Sequence, residues 1–246
     1  MLGNRVWLWT GVVLCGLLCG LAGSSWAEEA EEVVLADFTR AQQAVPQGWE
    51  LSVKAGTPQL QLVADADGQA LHLRSEQASF ALQRKERFLL QDHPVLTWQW
   101  KVTQLPEGGD FRRPRSDDQA AQLIVAFSPS RFLSYIWDST VPQGTTGAAP
   151  APPFRRILAL VMQSGPQALG TWITERRNLV QDYTRLFGEA PEAIEGLRIQ
   201  INSQHTRSHA ESYWRSIGLT GENTLTTHNA ATRVAQRAVA APAPVQ

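Results

Sequence analysis

The sequence predicts an all-β protein, a jelly-roll-like β-sandwich with one short helix. Short apolar or alternating segments, about ten in all, recur along the chain with turn residues between them. Only one segment places its apolar residues at helical spacing. A layout of alternating strands and helices is disfavoured, because such a fold needs a helix after almost every strand.

The strand segments have the alternation typical of half-buried strands. In Val95–Val102, Trp98 and Trp100 fall on the apolar face and polar residues on the other face, which predicts that both tryptophans are in the core. A Pro- and Gly-rich loop is predicted at Val141–Pro153. The other predicted strands are Val33–Phe38, Trp49–Val53, Leu60–Val63, Leu71–Leu73, Phe80–Leu82, Gln122–Phe127, Phe132–Trp137, Arg156–Gln163, Gly170–Arg177, Ile194–Ile201 and Ser212–Leu219.

One helix is predicted at Asn178–Phe187. Asn178 can act as N-cap with Gln181 three residues later, as in a capping box. Gly188 is placed to end the helix. This helix is therefore the exception within a β-rich chain.

The chain divides into three parts. Residues 1–27 read as a secretory signal peptide, because Arg5 precedes a short apolar run that is followed by an A-x-A-like cleavage site at Ser25–Ala27; the alternative is an uncleaved anchor. Residues 28–220 form the β-sandwich domain, and residues 221–246 read as a disordered Ala- and Pro-rich tail. We therefore expect a periplasmic or secreted protein with no membrane span in the mature chain.

The positions of the cysteines and the net charge narrow the expected compartment and partners. Cys15 and Cys19 both lie in the signal peptide, so the mature chain would contain no disulfide, which favours a bacterial periplasm over a disulfide-linked extracellular module. The formal net charge is −1, and loss of Arg5 makes it one unit more negative. A nucleic-acid partner is not expected, because such a partner requires a basic face.

A charged loop between the strands at Val95–Val102 and Gln122–Phe127 provides the first group of candidate site residues. Asp110, Asp117 and Asp118 lie there with Arg113. Carboxylates on a loop can bind Ca²⁺ or accept hydrogen bonds from sugar hydroxyls. The alternative is salt bridging within the loop, which contributes little to stability.

The second group surrounds the start of the helix. Glu175 and Arg177 share a strand face, while Asn178 and Asp182 share a helix face. Arg177 could bind a carboxylate or phosphate through two parallel hydrogen bonds. The alternative is a buried Arg–Asp network that attaches the helix to the sandwich.

Tryptophans outside the clearest core positions form the third group. Trp137 and Trp172, and with them Trp214, are candidate platforms for sugar rings, whose C–H faces stack on indole. The alternative is burial in the core, which is the usual environment of tryptophan.

Four strings in the sequence resemble an uncharacterised bacterial exported family, the domain of unknown function DUF3047. They are TWQWKVTQLPEGGD, SDDQAAQLIVAF, ITERRNLVQDYTRLFGEAP and ESYWRSIGL, and the resemblance covers Val33–Leu219. It implies a β-sandwich similar to carbohydrate-binding folds and no established activity. Where relatives are expected to have an acidic Thr-Asp-x-Asp-Asn-Thr string, this chain has Asn202–Thr206, which puts a cation role for those positions in doubt.

Function is predicted less sharply than fold. The first hypothesis is an exported protein that binds a glycan or another polar envelope ligand, with Ca²⁺ as a possible cofactor. The second is a polysaccharide hydrolase or lyase using carboxylates such as Asp118 and Glu175, although no catalytic motif is present and a non-enzyme is favoured. A structural or partner-binding role and a metal site at His205 and His209 are further alternatives.

Overall fold

The computed structural model describes residues 32–66 and 68–222. The predicted signal peptide at 1–27 lies outside the described residues, as does nearly all of the predicted tail at 221–246. No helix in the described ranges is long and apolar enough to cross a membrane. The elements are β1 Val33–Asp37, β2 Glu50–Ala55, β3 Gln59–Asp65, β4 Gly68–Glu76, β5 Ser79–Arg84, β6 Phe88–Leu89, β7 Val95–Gln104, β8 Ala121–Ser128, β9 Arg131–Asp138, β10 Thr146–Ala149, β11 Arg156–Ser164, β12 Ile173–Asn178, α1 Leu179–Phe187, β13 Ala193–Ile194, β14 Gly196–Asn202 and β15 His209–Thr220.

Two large sheets pack face to face, which confirms the predicted β-sandwich. The six-stranded sheet has the order β12-β7-β15-β4-β3, with β1 also paired to β15. The seven-stranded sheet has the order β10-β11-β9-β8-β14-β5-β2, and β6 and β13 form a small separate pair. Neighbours pair antiparallel except β9 and β11, which are parallel. The segment between these two strands therefore has to cross back along the sheet, and it contains β10 within the predicted loop at Val141–Pro153.

Aromatic side chains from both sheets fill the space between them. Trp98, Trp100 and Trp214 come from the six-stranded sheet, Tyr135 and Trp137 from the seven-stranded sheet, and all five are fully buried. Ring centroids lie 5.5 Å apart for Trp98–Trp100, 5.4 Å for Trp100–Trp214 and 5.1 Å for Trp98–Tyr135. Such pairs add about 0.5–1.5 kcal/mol each beyond the area they bury.

The helix α1 begins and ends as the sequence predicts. The Asn178 side chain accepts a hydrogen bond from the Gln181 backbone N–H, and Gly188 adopts the left-handed conformation with φ 85°. Tyr183 is buried, with its ring centroid 4.4 Å from that of Phe127. The helix is therefore attached to the sandwich through its inner face.

The connection between β7 and β8, residues 105–120, is held tightly against the segment after β9. Ser139 Oγ donates to the Pro106 carbonyl at 2.7 Å, and Thr140 Oγ1 donates to the Gly109 carbonyl at 2.8 Å. Gly109 has no room for a side chain, because a Cβ there would overlap the Asp118 carbonyl oxygen and lie 2.9 Å from Ser139 Oγ. The loop therefore has one close backbone crossing at Gly109.

Replacement of Gly109 by alanine is expected to lower the free energy of unfolding by about 1–3 kcal/mol, because the added methyl must displace backbone. Gly147→Ala in β10 is the matched control, since its Cβ would make only ordinary contacts with Phe111. That variant should be neutral or slightly stabilised. Urea unfolding of both variants tests the close crossing, and equal effects would contradict it.

Candidate functional site

The outer face of the seven-stranded sheet contains a groove of about 740 Å³. Several outward-facing side chains in the middle of the sheet are small, which leaves space for the groove. Ala126, Ser134, Ala159 and Gly196 line the groove floor, while the larger neighbours of these residues along each strand point into the core. The size lies within the range of about 300–1,000 Å³ typical of small-molecule sites.

Amide side chains form a polar band along one side of the floor. Register pairs Arg198 with Gln83 on β5, and Gln200 with Gln122 on β8. The Gln122 amide donates to Asn202 Oδ1 at 2.6 Å, and Arg198 Nη2 donates to Gln83 Oε1 at 2.6 Å. Because each amide offers both donors and acceptors, the band can bind ligand hydroxyls, which also act in both roles.

Ser134 places a hydroxyl in the middle of the floor. Its side chain is 2% exposed, and among the described residues its Oγ has no hydrogen-bond partner. A buried polar group without a partner costs about 1–3 kcal/mol. A ligand group that reaches the floor can remove this cost.

Apolar residues and one cation border the end of the groove near the β10–β11 connection. Phe132, Pro150 and Pro152 line this end. The Arg155 guanidinium lies 5.8 Å from the centroid of the Phe132 ring. Next to it Phe154 is 97% exposed at φ 67°, an unusual conformation for a residue with a side chain. The Phe154 ring is therefore an exposed aromatic group beside the groove.

Asp117 lines the opposite end, the only one of the predicted site residues to line the groove. Burial raises the pKa of its carboxyl to about 6, against a smaller opposing effect of the hydrogen bond from Gln119. Its backbone carbonyl accepts from Asn202 Nδ2 at 2.7 Å. The end of the charged loop and the end of β14 thus form one wall.

The other acids of the loop are directed at the chain itself. Asp118 is fully buried, and its Oδ2 accepts from the Thr206 N–H at 2.6 Å and the Thr206 hydroxyl at 2.8 Å. Asp110 is buried and accepts from the Arg112 N–H and Nε, with the exposed Arg113 Nε at 3.3 Å. The Asp110 contacts are the salt bridges within the loop that the alternative describes, whereas Asp118 binds the separate segment at Thr206.

A third buried acid, Asp138, was not predicted from the sequence. Its carboxylate accepts from the backbone N–H groups of Phe111, Thr140 and Val141 at 2.8–3.0 Å, although burial raises its pKa. Within the two described ranges, no group of three or more His, Cys, Asp or Glu side chains is arranged to hold a metal ion. The Ca²⁺ site stays a prediction.

The residues around the helix start form a network at the edge of the sandwich. Arg177 Nε donates to Asp182 Oδ2 at 2.8 Å, and the Tyr135 hydroxyl donates to the same oxygen at 2.9 Å. This hydrogen bonding raises the pKa of Arg177. Glu175 accepts from Gln163 Nε2 at 2.8 Å, and burial raises its pKa. With Asn178 acting as the helix cap, these residues attach α1 to both sheets.

The predicted tryptophan platforms require a correction. Trp137 is fully buried and its Nε1 donates to the Gly165 carbonyl, and Trp214 is also fully buried, so neither ring is open to a ligand. Trp172 is half-buried near the outer face of the other sheet. Its ring lies 4.2 Å from the Arg215 guanidinium and 4.7 Å from Lys101 Nζ. Inward alternation on β9 explains the position of Trp137.

The family model for a protein of unknown function, DUF3047, matches residues 47–218. The chain belongs to this family. The match includes the groove-lining strands β5, β8, β9, β11 and β14, so the groove belongs to the family's domain. No curated protein matches the sequence.

Several solved structures are similar to this member of DUF3047 over most of their length. The xyloglucanase domain of NopAA, a type three effector from Sinorhizobium fredii, has 10% identity and a TM-score of 0.42, covering 71% of this chain and 93% of that one. A metagenome-derived family 12 endoglucanase has 12% identity and a TM-score of 0.43, covering 72% and 96%. The mannan-recognising module TmCBM27 has 11% identity and a TM-score of 0.37, covering 79% and 97%. TM-scores below 0.5 carry no information on what this chain binds.

Removal of the buried anion in the helix network is expected to be costly. Asp182→Asn leaves the Arg177 guanidinium without its counterion and should lower the free energy of unfolding by about 2–4 kcal/mol. The control is Glu189→Gln, which removes an exposed ion pair with Arg131 and should cost under about 1 kcal/mol. Denaturant unfolding measures both, and a similar small effect for each would contradict the attachment of α1 through Asp182.

The raised pKa of Asp117 predicts a pH-dependent stability. The folded state binds this proton more tightly than the unfolded state, so stability falls as pH rises from about 4 to above 6. The free energy of unfolding of Asp117→Asn should therefore match that of the wild type near pH 4 and exceed it by about 1–3 kcal/mol at pH 8. Chemical unfolding at the two pH values measures this difference, and a difference independent of pH would contradict the burial of Asp117.

Proposed function

We propose that the protein is exported and binds a glycan, or another polar ligand of the cell envelope, in the groove on the seven-stranded sheet. The observation that supports this most directly is the buried Ser134 hydroxyl without a partner on the groove floor. It is a polar group for which the described chain supplies no hydrogen bond. A ligand hydroxyl that hydrogen-bonds to Ser134 would satisfy this group.

The surrounding residues suit a sugar. A sugar ring has polar hydroxyl edges and an apolar C–H face, so its site needs polar side chains beside aromatic or apolar ones. The amide band of Gln83, Gln122 and Gln200 lies on one side of the floor, and Phe132 lies on the other. The two halves of the groove match the two kinds of sugar surface.

A hydrolase acting through two carboxylates is less well supported. Among the described residues, the acids that line the groove are Asp117 and Glu195. Asp117 bonds to Asn202 at one end of β14, and Glu195 precedes its other end, so extended strand separates them by about 23 Å. Glycosidases place their two carboxyl groups about 5–9.5 Å apart. Neither Asp118 nor Glu175, the pair suggested by sequence, lines the groove.

Thermal unfolding of residues 28–246, with and without a panel of envelope and plant oligosaccharides and with and without Ca²⁺, tests the proposal. A ligand at 100 times its Kd stabilises the folded state by about 2.7 kcal/mol and raises the unfolding midpoint. Ala126→Trp fills the groove from its floor and should abolish this shift. Gln99→Trp on the outer face of the other sheet is the matched control and should keep it.

Two outcomes would overturn the proposal. One is a panel in which no oligosaccharide raises the midpoint under either Ca²⁺ condition. The other is a shift of the same size in Ala126→Trp and in the wild type, which would place the ligand elsewhere on the molecule.

A further inference from the structure

The charged side chains that line the groove are mostly basic, although the whole chain has a formal net charge of −1. The basic residues that line the groove are Lys54, Arg84, Lys85, Arg155 and Arg198, and the acidic residues are Asp117 and Glu195. Two of the basic side chains are neutralised by acids nearby, because Arg84 donates to Glu86 at 2.7 Å and Lys85 Nζ lies 3.6 Å from Glu50.

The two acids do not balance the remaining bases. Glu195 pairs with Arg87, at 3.3 Å, which lies outside the groove lining. Burial raises the pKa of Asp117 to about 6, and the nearby basic side chains of His205 and Lys54 oppose this shift only in part. Arg155 and Arg198 have no ion-pair partner within the part of the chain that the structure describes. The groove therefore has a local excess of positive charge at these two arginines.

Arg198 is the more informative of the two, because it lies half-buried on the floor. Its guanidinium donates to neutral amide oxygens, Gln83 Oε1 at 2.6 Å and Gln200 Oε1 at 3.4 Å. A guanidinium has five N–H groups, so three remain for a ligand. Burial, and to a lesser degree the charge of Arg155, lower the pKa of Arg198. A half-buried cation next to a second cation is costly unless an anion joins them.

The neighbours of Arg198 indicate what kind of anion fits. Register places Arg198 beside Ile124, Ile124 beside Ser134, and Ala126 beside Phe132 on the same face. The unpartnered Ser134 hydroxyl and the Phe132 ring thus lie within two strands of the guanidinium, and Arg155 covers the Phe132 end. This part of the groove therefore offers a cation for an anionic ligand group, a hydroxyl for a ligand hydroxyl and an aromatic ring for an apolar sugar face.

We infer that the ligand is an acidic glycan, a sugar whose ring carries a carboxylate or another anionic oxygen group, and that Arg198 binds this group with Arg155 beside it. The inference rests on the proposed function and specifies its ligand class. Arginine suits this role because its planar guanidinium can donate two parallel hydrogen bonds to one carboxylate or phosphate. Ser134 and the amide band bind the hydroxyls of the same sugar.

Calorimetric titration with acidic oligosaccharides and their neutral methyl esters tests the inference. Galacturonate, mannuronate and glucuronate trimers serve as acidic probes, each with its ester of equal length. We expect the wild type to prefer the acids, and Arg198→Gln to weaken acid binding by about 10- to 100-fold with little effect on esters. Arg198→Lys keeps the charge but loses the planar fork, so its affinity for the acids should lie between the two.

The control is Arg74→Gln, which makes the same change of charge on β4 of the other sheet, where Arg74 pairs with Glu76. It should bind the acids as the wild type does. The unliganded unfolding midpoint of Arg198→Gln should equal or exceed that of the wild type, because the variant removes a half-buried cation without a counterion. A reduced affinity with an unreduced midpoint separates a binding role from a structural one.

Other outcomes would overturn the inference in distinguishable ways. Equal affinity for acids and esters, retained in Arg198→Gln, would overturn it while leaving a neutral-glycan site in place. Binding of polyphosphate as tightly as the acidic trimers would replace the glycan by a simple polyanion and also overturn it. Binding of no oligosaccharide would overturn the proposed function and this inference together.

Discussion

The alternation of side chains along each strand is the constraint on which the structure depends. Because successive residues of a strand point to opposite faces, the strands β5, β8, β9, β11 and β14 of the seven-stranded sheet each supply both the core and the groove. In β9, Leu133, Tyr135 and Trp137 point inward while Phe132 and Ser134 point into the groove. A shift of one residue in register would exchange the two sets. The bulky core therefore fixes which side chains of these strands face the groove.

Buried carboxylates hold the loops at one end of the groove in fixed positions. Asp118 accepts hydrogen bonds from Thr206. Asp138 accepts from the backbone N–H of Phe111 in the charged loop and from those of Thr140 and Val141 in the segment after β9. Each carboxylate gives up hydration for hydrogen bonds whose geometry is specific. The position of Asp117, and so the shape of that end, depends on acids that never contact the groove.

Much of the fold follows from local sequence, and most of the site does not. Local alternation predicts β7 and the inward tryptophans Trp98 and Trp100, and capping residues predict α1 almost to the residue. The groove depends instead on β14 pairing between β5 and β8, which are distant in the sequence. Along one strand, Arg198 and Gln200 look like ordinary solvent-facing residues. Only the paired sheet shows that they adjoin Gln83 and Gln122.

The parallel pairing of β9 and β11 has a consequence for how the family can diversify. Parallel neighbours cannot be joined by a tight hairpin, so the chain between them is long, and its later part, Pro150–Arg155, becomes one wall of the groove. This wall is surface loop, and loops accept insertions and substitutions far more readily than paired strands do. Changes there alter the width and chemistry of the groove while the aromatic interior stays as it is. The shape of the groove can thus change in this segment at little cost to folding.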